Sequence, residues 1–275
     1  MLKNYKLLLD NDCPMCKVYG QLFVKLNLIE PSALTSFQFE SQNSALNIDH
    51  ERAKSEIAFY NTVTNETVYG VDAVVKIISH NFTLLQKFLE LYWINRLLKF
   101  IYFFISYNRK QIIPVNPKFE CYNCTPEYKL SYRWAYIIFV AFATAFILSS
   151  FFRPLFASFN LQTFFWIEYV ICFGQILWQA VAIKYFTPQK TMDYLGNMST
   201  VSMLGGILLI PLLMLSSLVN ISITIKCIYF FIVVSIMVLE HLRRCFLLEI
   251  SHFMTASWIA YRVFVLIILY ILYNI

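Results

Sequence analysis

The sequence predicts an α/β N-terminal domain followed by an α-helical transmembrane bundle, and three observations carry that prediction. The chain has 275 residues, of which 59% are apolar and only 14% charged, too little charge for an ordinary soluble protein. The charge is concentrated in residues 1–131, whereas from Tyr132 onward long apolar runs are separated by short polar punctuation. Finally, the apolar run Tyr5-Lys6-Leu7-Leu8-Leu9 leads into Cys13-Pro14-Met15-Cys16 at the head of an amphipathic stretch. Three segments follow: an α/β domain over 1–81, amphipathic interfacial helices with a cysteine-containing linker over 82–131, and a membrane domain over 132–275.

Tyr5 to Leu9 reads as a buried strand. Residues 14 to 28 fit a helix with Pro14 at its first position, where the missing N–H costs nothing. Ser36-Phe37-Gln38-Phe39-Glu40 alternates as a second strand, and the intervening helix makes it parallel to the first, as a right-handed βαβ unit. Ile57 to Thr62 and Glu66 to Tyr69 form a hairpin about Asn65. A helix then runs through Ile78, capped by Asp72, while Asp12 is the expected cap of the first helix. The order βαβ then ββα is that of the thioredoxin fold. One departure stands out: that fold places a cis-proline opposite its Cys-x-x-Cys, and this chain has no proline between Pro31 and Pro114.

Residues 82–108 are helical and apolar, but Lys87 and Glu90 fall nearly opposite Arg96 and Lys99. This predicts two short helices broken near Asn95, lying at the membrane surface or against the sheet. Beyond Pro114 and Pro117 come Cys121 and Cys124, then five spans, roughly 132–152, 161–185, 199–219, 221–239 and 253–274. With the N-terminus inside, internal loops hold Lys184, Lys190, Arg243 and Arg244, as the positive-inside rule requires. Met1 to Leu9 lacks the apolar core of a secretory signal. The expectation is a multi-pass protein of the cell (inner) membrane with a cytoplasmic N-terminal domain. The net charge of +6 is scattered and flanks spans, which argues against a nucleic-acid partner and for the lipid bilayer.

A strand feeding a Cys-x-x-Cys at a helix N-terminus is how redox dithiols are built. Cysteines at i and i+3 can close a small ring, and the free amides and dipole of the first turn favour a thiolate. Cys13 is then the exposed nucleophile and Cys16 the shielded resolving thiol. Asp10 is either a proton acceptor for the resolving thiol or a turn-former closing the strand. The competing reading is a structural zinc site of four cysteines, with Cys121 and Cys124 as the other two ligands. Alternatively that second pair relays electrons, or does nothing. Outside that alternative, no metal or cofactor is called for, and His50, His80, His241 and His252 show no metal-ligand spacing.

With Asp10-Asn11-Asp12-Cys13-Pro14-Met15-Cys16, the segment Gln38 to Gln42, and Gly70-Val71-Asp72-Ala73 opening a helix, the first ~110 residues resemble the DCC family of thiol-disulfide oxidoreductases. Asp10, Cys13 and Cys16 match that family's Asp-x-x-Cys-x-x-Cys motif. The resemblance implies a thioredoxin-like fold, a redox dithiol at Cys13 and Cys16, and protein-disulfide reductase activity. The family usually has Gly where this chain has Asn11, a residue that also tolerates a left-handed turn.

In the second span Glu168, Cys172, Gln175 and Gln179 share one helical face. Arg262, deep in the fifth span, is the partner of Glu168 by depth, either as a structural pair or as a substrate or proton site. Cys172, Cys227 and Cys245 read as apolar fillers, Trp134, Trp166, Trp178 and Trp258 as interface anchors and packing, and Glu240-His241-Leu242-Arg243-Arg244 as a cytoplasmic loop. The function expected is a membrane-anchored thiol-disulfide oxidoreductase, in a reducing cytosol a reductase, acting on a disulfide-containing protein or a small thiol substrate. The alternatives are a transport or electron-conduit protein with a regulatory thiol domain, and the non-catalytic zinc module.

Overall fold

The computed structural model describes residues 2, 4–37, 48–80, 82–114, 126–157 and 166–274. The chain divides into two compact units, Met1–Tyr132 and Arg133–Ile275.

The first unit is built on a four-stranded mixed sheet of order β2-β1-β3-β4. Strand β1 (Tyr5–Leu9) pairs in parallel with β2 (Leu34–Ser36) and antiparallel with β3 (Ala58–Asn61), which continues as a hairpin into β4 (Thr67–Tyr69). These are the strand order and directions of the thioredoxin-like fold. The apolar run of β1 is explained by burial on both faces. Leu7 and Leu9 pack with Cys16 and Phe23 of α1 (Pro14–Lys25) and with Ala73 and Ile77 of α3 (Gly70–Ser79). Leu8 faces the other way, toward Ala53 of α2 (His50–Ser55) and Tyr60. Each such buried Leu or Phe contributes about 1.5–3 kcal/mol, so the strand that presents the dithiol is also the strand most firmly held.

Local expectations needed correction at several points. Strand β2 lies at Leu34–Ser36 after a 3-10 turn at Pro31–Ala33, so it ends where the predicted strand begins. Phe37 is already helical, and residues 38–47 fall outside the described set. Asp12 does not cap α1: the N-cap is Cys13, without a side-chain cap bond. Asp72 likewise sits inside the first turn of α3, whose N-cap is Tyr69, and pairs instead with Lys99 at 3.0 Å. A β-strand that runs directly into a helix leaves no room for a separate capping residue. Gly70, at φ +57, makes that junction, and a side chain there would strike the Glu56 carboxylate. The hairpin turn does use a left-handed Asn65, at φ 57, whereas Asn11 is not among the described residues with positive φ.

The next segment forms α4 (Thr83–Leu89) and α5 (Tyr92–Ile112), broken at Glu90–Leu91 rather than near Asn95. Helix α5 runs 21 residues because its polar side chains have a docking partner. The Tyr102 hydroxyl accepts the Ile57 N–H at 2.8 Å, Ser106 donates to the Ser55 carbonyl, and Arg109 donates to the Lys54 carbonyl at 3.0 Å. These bonds pin the C-terminal end of α2 and the short link into β3. The opposite face, Trp93, Leu97, Phe100, Ile101 and Ile105, is exposed.

Among the described residues the second unit contains five helices long and apolar enough to cross a membrane: α6 (Leu130–Ala157, its first residues belonging to the first unit), α7 (Ile167–Phe186), α8 (Thr191–Leu218), α9 (Ile223–Leu247) and α10 (Phe253–Asn274). The number matches the sequence reading, and the third and fourth spans are separated by 219–222, with Ser222 capping α9 through the Ile225 N–H. Small residues set the close approaches. A side chain at Gly205 would meet Met237 of α9, one at Gly206 would meet Ile147 of α6, and one at Gly174 would meet Tyr261 of α10, as expected where packing alone draws membrane helices together.

Residues 240–244 are not a loop. They lie within α9, where His241 is 1% exposed and Arg244 6%. His241 is bonded to Tyr194 at 3.2 Å and Thr255 at 2.8 Å, and Arg244 to Glu240 and Asn197, each at 2.8 Å. Trp258, also buried, stacks on the His241 ring. Arg244 is accommodated inside the bundle because Glu240 of α9 and Asn197 of α8 bond it, and the His241 ring is held between Tyr194 of α8 and Thr255 of α10.

Candidate dithiol site and the buried polar face of the bundle

Strand β1 ends at Leu9, and the chain reverses through Asp10 to Asp12 to start α1. The Asp10 carboxylate accepts the Asp12 N–H at 3.0 Å, and the Asp10 carbonyl accepts the Cys13 N–H at 3.1 Å. Asp10 therefore shapes the turn that presents Cys13. Gly20 lets α1 lie close to Leu9. The result sets Cys13 half-buried at the N-cap and Cys16 one turn in, 3% exposed within the core.

The two thiols are free and electrostatically unlike. Cys13 is pulled down to about 6. The hydrogen bond from the Cys16 thiol does most of this, against the penalty of burial; the Cys16 backbone N–H and the Arg109 charge add to it, and the Asp10 carboxylate opposes it. Cys16 is pushed far up, first by donating its proton to Cys13 and then by burial, with Arg109 pulling the other way. At neutral pH the arrangement holds a thiolate at the partly open sulfur and a proton on the enclosed one, the division of labour a nucleophile and a resolving thiol require.

Three surrounding residues were not singled out from the sequence. Arg109, 11% exposed, pairs with Asp10 (10% exposed) at 3.6 Å and acts on both sulfurs. Tyr19 of α1, half-buried, packs beside Cys16, and burial of its hydroxyl drives it well above the ordinary phenol range. Tyr102 is pushed up in the same way. Tyr102, Ser106 and Arg109, spaced by four and three, form one polar face on an apolar helix, and that stripe was the available signal. Cys121 and Cys124 lie outside the described residues.

In the bundle, Glu168, Cys172, Gln175 and Gln179 share one buried face of α7, at 6%, 6%, 2% and 0% exposed. Gln179 accepts from the Tyr194 hydroxyl at 3.0 Å and reaches Ser257 at 3.5 Å. Among the described residues Glu168 and Arg262 are not joined by an ion pair. Arg262 instead borders a small cavity with Cys172 and Gln175. Cys172 and Cys245 are buried, while Cys227 is only half-buried.

Residues 7–114 match the family model of the DCC1-like thiol-disulfide oxidoreductases. That match covers the sheet, the dithiol turn and helix α5 with Tyr102 and Arg109, and leaves the five apolar helices outside it. Among curated proteins and solved structures nothing matches the chain.

Proposed function

We propose that the protein is a membrane-anchored thiol-disulfide oxidoreductase whose Cys13 and Cys16 reduce disulfides on the cytoplasmic side of the cell membrane. The observation that carries this reading is the asymmetry of the two thiols, one half-buried and held near 6, the other enclosed and kept protonated. The Cys13 thiolate attacks one sulfur of a substrate disulfide, forming a mixed disulfide and expelling the other sulfur as a thiolate that takes up a proton. Cys16 then attacks the Cys13 sulfur, breaking its bond to the substrate, and the proton it loses is taken up by the substrate thiolate that leaves. The substrate leaves with both its sulfurs reduced, and the two electrons it gained leave a Cys13–Cys16 disulfide behind. An external dithiol returns the enzyme to its starting state. The substrate class is a disulfide-containing protein or a small disulfide.

In this reading Asp10 and Arg109 are positioning residues, the first holding the turn and the second placing a positive charge by the nucleophile. The exposed apolar face of α5 rests in the lipid headgroup region, where Trp93 and Tyr92 suit an interface that is apolar on one side and wet on the other.

The test is maleimide trapping of Cys13 and Cys16 across a graded dithiol redox series, with and without a zinc chelator. A reversible two-electron transition that ignores the chelator is expected. Thiols that resist oxidation and alkylation until metal is removed would replace this function by the zinc module. Cys16→Ser should accumulate the mixed disulfide under mild oxidation, and recovery of no adduct would count against the mechanism.

A further inference from the structure

Inside the membrane bundle, three polar side chains from three helices meet with nothing to bond. Gln175 of α7 is 2% exposed and neither of its amide atoms has a partner; Thr144 of α6 and Ser199 of α8 are each 3% exposed and their hydroxyls are equally unbonded. All three border one cavity together with Ser202 and Arg262 of α10, the remaining wall being mostly apolar.

The unbonded hydroxyls are exceptional for this bundle. Ser and Thr in an apolar helix ordinarily donate to their own carbonyl one turn back, and Ser150, Thr200, Ser202 and Ser235 all do so. Thr144 and Ser199, which face the cavity, do not. Polar groups left bare in a low-dielectric interior are costly unless something fills the space between them.

Size and charge select the occupant. The cavity is small, with room for about one or two particles the size of a water molecule. Arg262 brings a positive charge to the wall; it touches Cys172, and the Glu168 carboxylate acts on it without an ion pair and does not line the cavity. A cation at this depth requires a counter-charge. Among the groups that converge with it, the Gln175 N–H₂ and the Thr144 and Ser199 hydroxyls can donate, while the Gln175 carbonyl oxygen, also unbonded, only accepts. Water would satisfy the hydroxyls but add no negative charge beside the guanidinium, which the Glu168 carboxylate reaches only from beyond ion-pair distance.

We propose that the cavity bounded by Thr144, Gln175, Ser199 and Arg262 is a binding site for a small monovalent anion of halide size. The site is independent of the dithiol chemistry.

Equilibrium binding of radioactive chloride to the full-length protein in lipid nanodiscs, with gluconate replacing unlabelled chloride, tests this. The expected result is saturable binding of about one chloride per chain, abolished by Arg262→Met and weakened about tenfold by Thr144→Val or Ser199→Ala, since a hydrogen bond to an ion is worth at least that factor. An unchanged elution volume and thermal unfolding midpoint of each purified variant checks that the bundle is folded. Should Arg262→Met fail to accumulate, the two near-isosteric variants carry the test. Absence of saturable binding to the native protein, or binding unchanged in both Thr144→Val and Ser199→Ala, overturns the site and leaves the cavity to water.

Discussion

Replacing Cys16 by Ala tests directly what makes Cys13 reactive. The Cys16 thiol donates to the Cys13 sulfur and is the foremost cause of its low value near 6. A hydrogen bond to a charged group is worth about 1.5–3 kcal/mol, and one pKa unit corresponds to about 1.36 kcal/mol. Because the donor stabilises the thiolate, its removal raises the Cys13 midpoint, by about one to two units on these magnitudes. The Cys16 backbone N–H and Arg109 remain in the variant, so the midpoint stays below that of a free thiol. At pH 7 the thiolate fraction then falls from about 90% to between about 50% and about 10%, by the same arithmetic. A single rate at pH 7 would miss this, since the more basic thiolate is intrinsically the stronger nucleophile and largely offsets its lower population. The assay is therefore the full pH dependence of iodoacetamide alkylation at the Cys13 peptide, followed by mass spectrometry between about pH 4 and 10, a range that brackets both midpoints. A native midpoint near that of an ordinary thiol, or a midpoint that does not move in Cys16→Ala, refutes the account.

The same titration separates the neighbouring charges. Arg109→Met should raise the Cys13 midpoint, by less than Cys16→Ala does, because a favourable positive charge is lost. Asp10→Asn should lower it, because an opposing carboxylate is removed and Arg109 is left uncompensated; two shifts of the same sign would contradict the geometry. Phe59→Ala, at a fully buried position in the centre of the sheet, should cost about 3–5 kcal/mol in denaturant unfolding of the N-terminal unit, and a loss below about 1 kcal/mol would mean that this core is not the one holding β1. A photo-crosslinking benzoylphenylalanine at Trp93, 76% exposed, should yield adducts with lipid acyl chains in nanodiscs, and their absence would remove the interfacial role of α5.

Much of this protein is legible in its sequence because much of it is local. The strand Tyr5–Leu9, the helix beginning at Pro14 and the dithiol between them need only a short apolar run, a proline at a helix start and two cysteines one turn apart. The five spans follow from length and hydropathy, since a bilayer demands about 20 apolar residues whatever their neighbours. The buried stripe of α7 was visible from helical periodicity alone.

Tertiary structure decided what those elements touch. Arg109 reaches Asp10 across nearly a hundred residues, and no local pattern states that the polar face of α5 docks on the end of α2 and the link into β3. Asp72 looked like a cap because capping statistics assume a helix that starts from a free loop, whereas Tyr69 and Gly70 join strand to helix directly, and Asp12 falls one residue before the N-cap, Cys13. Residues 240–244 looked like a charged loop until partners on α8 and α9 made them affordable inside a helix. Thr144 and Ser199 carried no signal at all, being ordinary hydroxyls in apolar runs. A sequence fixes periodicity, length and turn chemistry along the chain, while distances between side chains far apart in sequence, and so the charge beside Cys13 and the cavity beside Arg262, exist only once the packed elements bring them together.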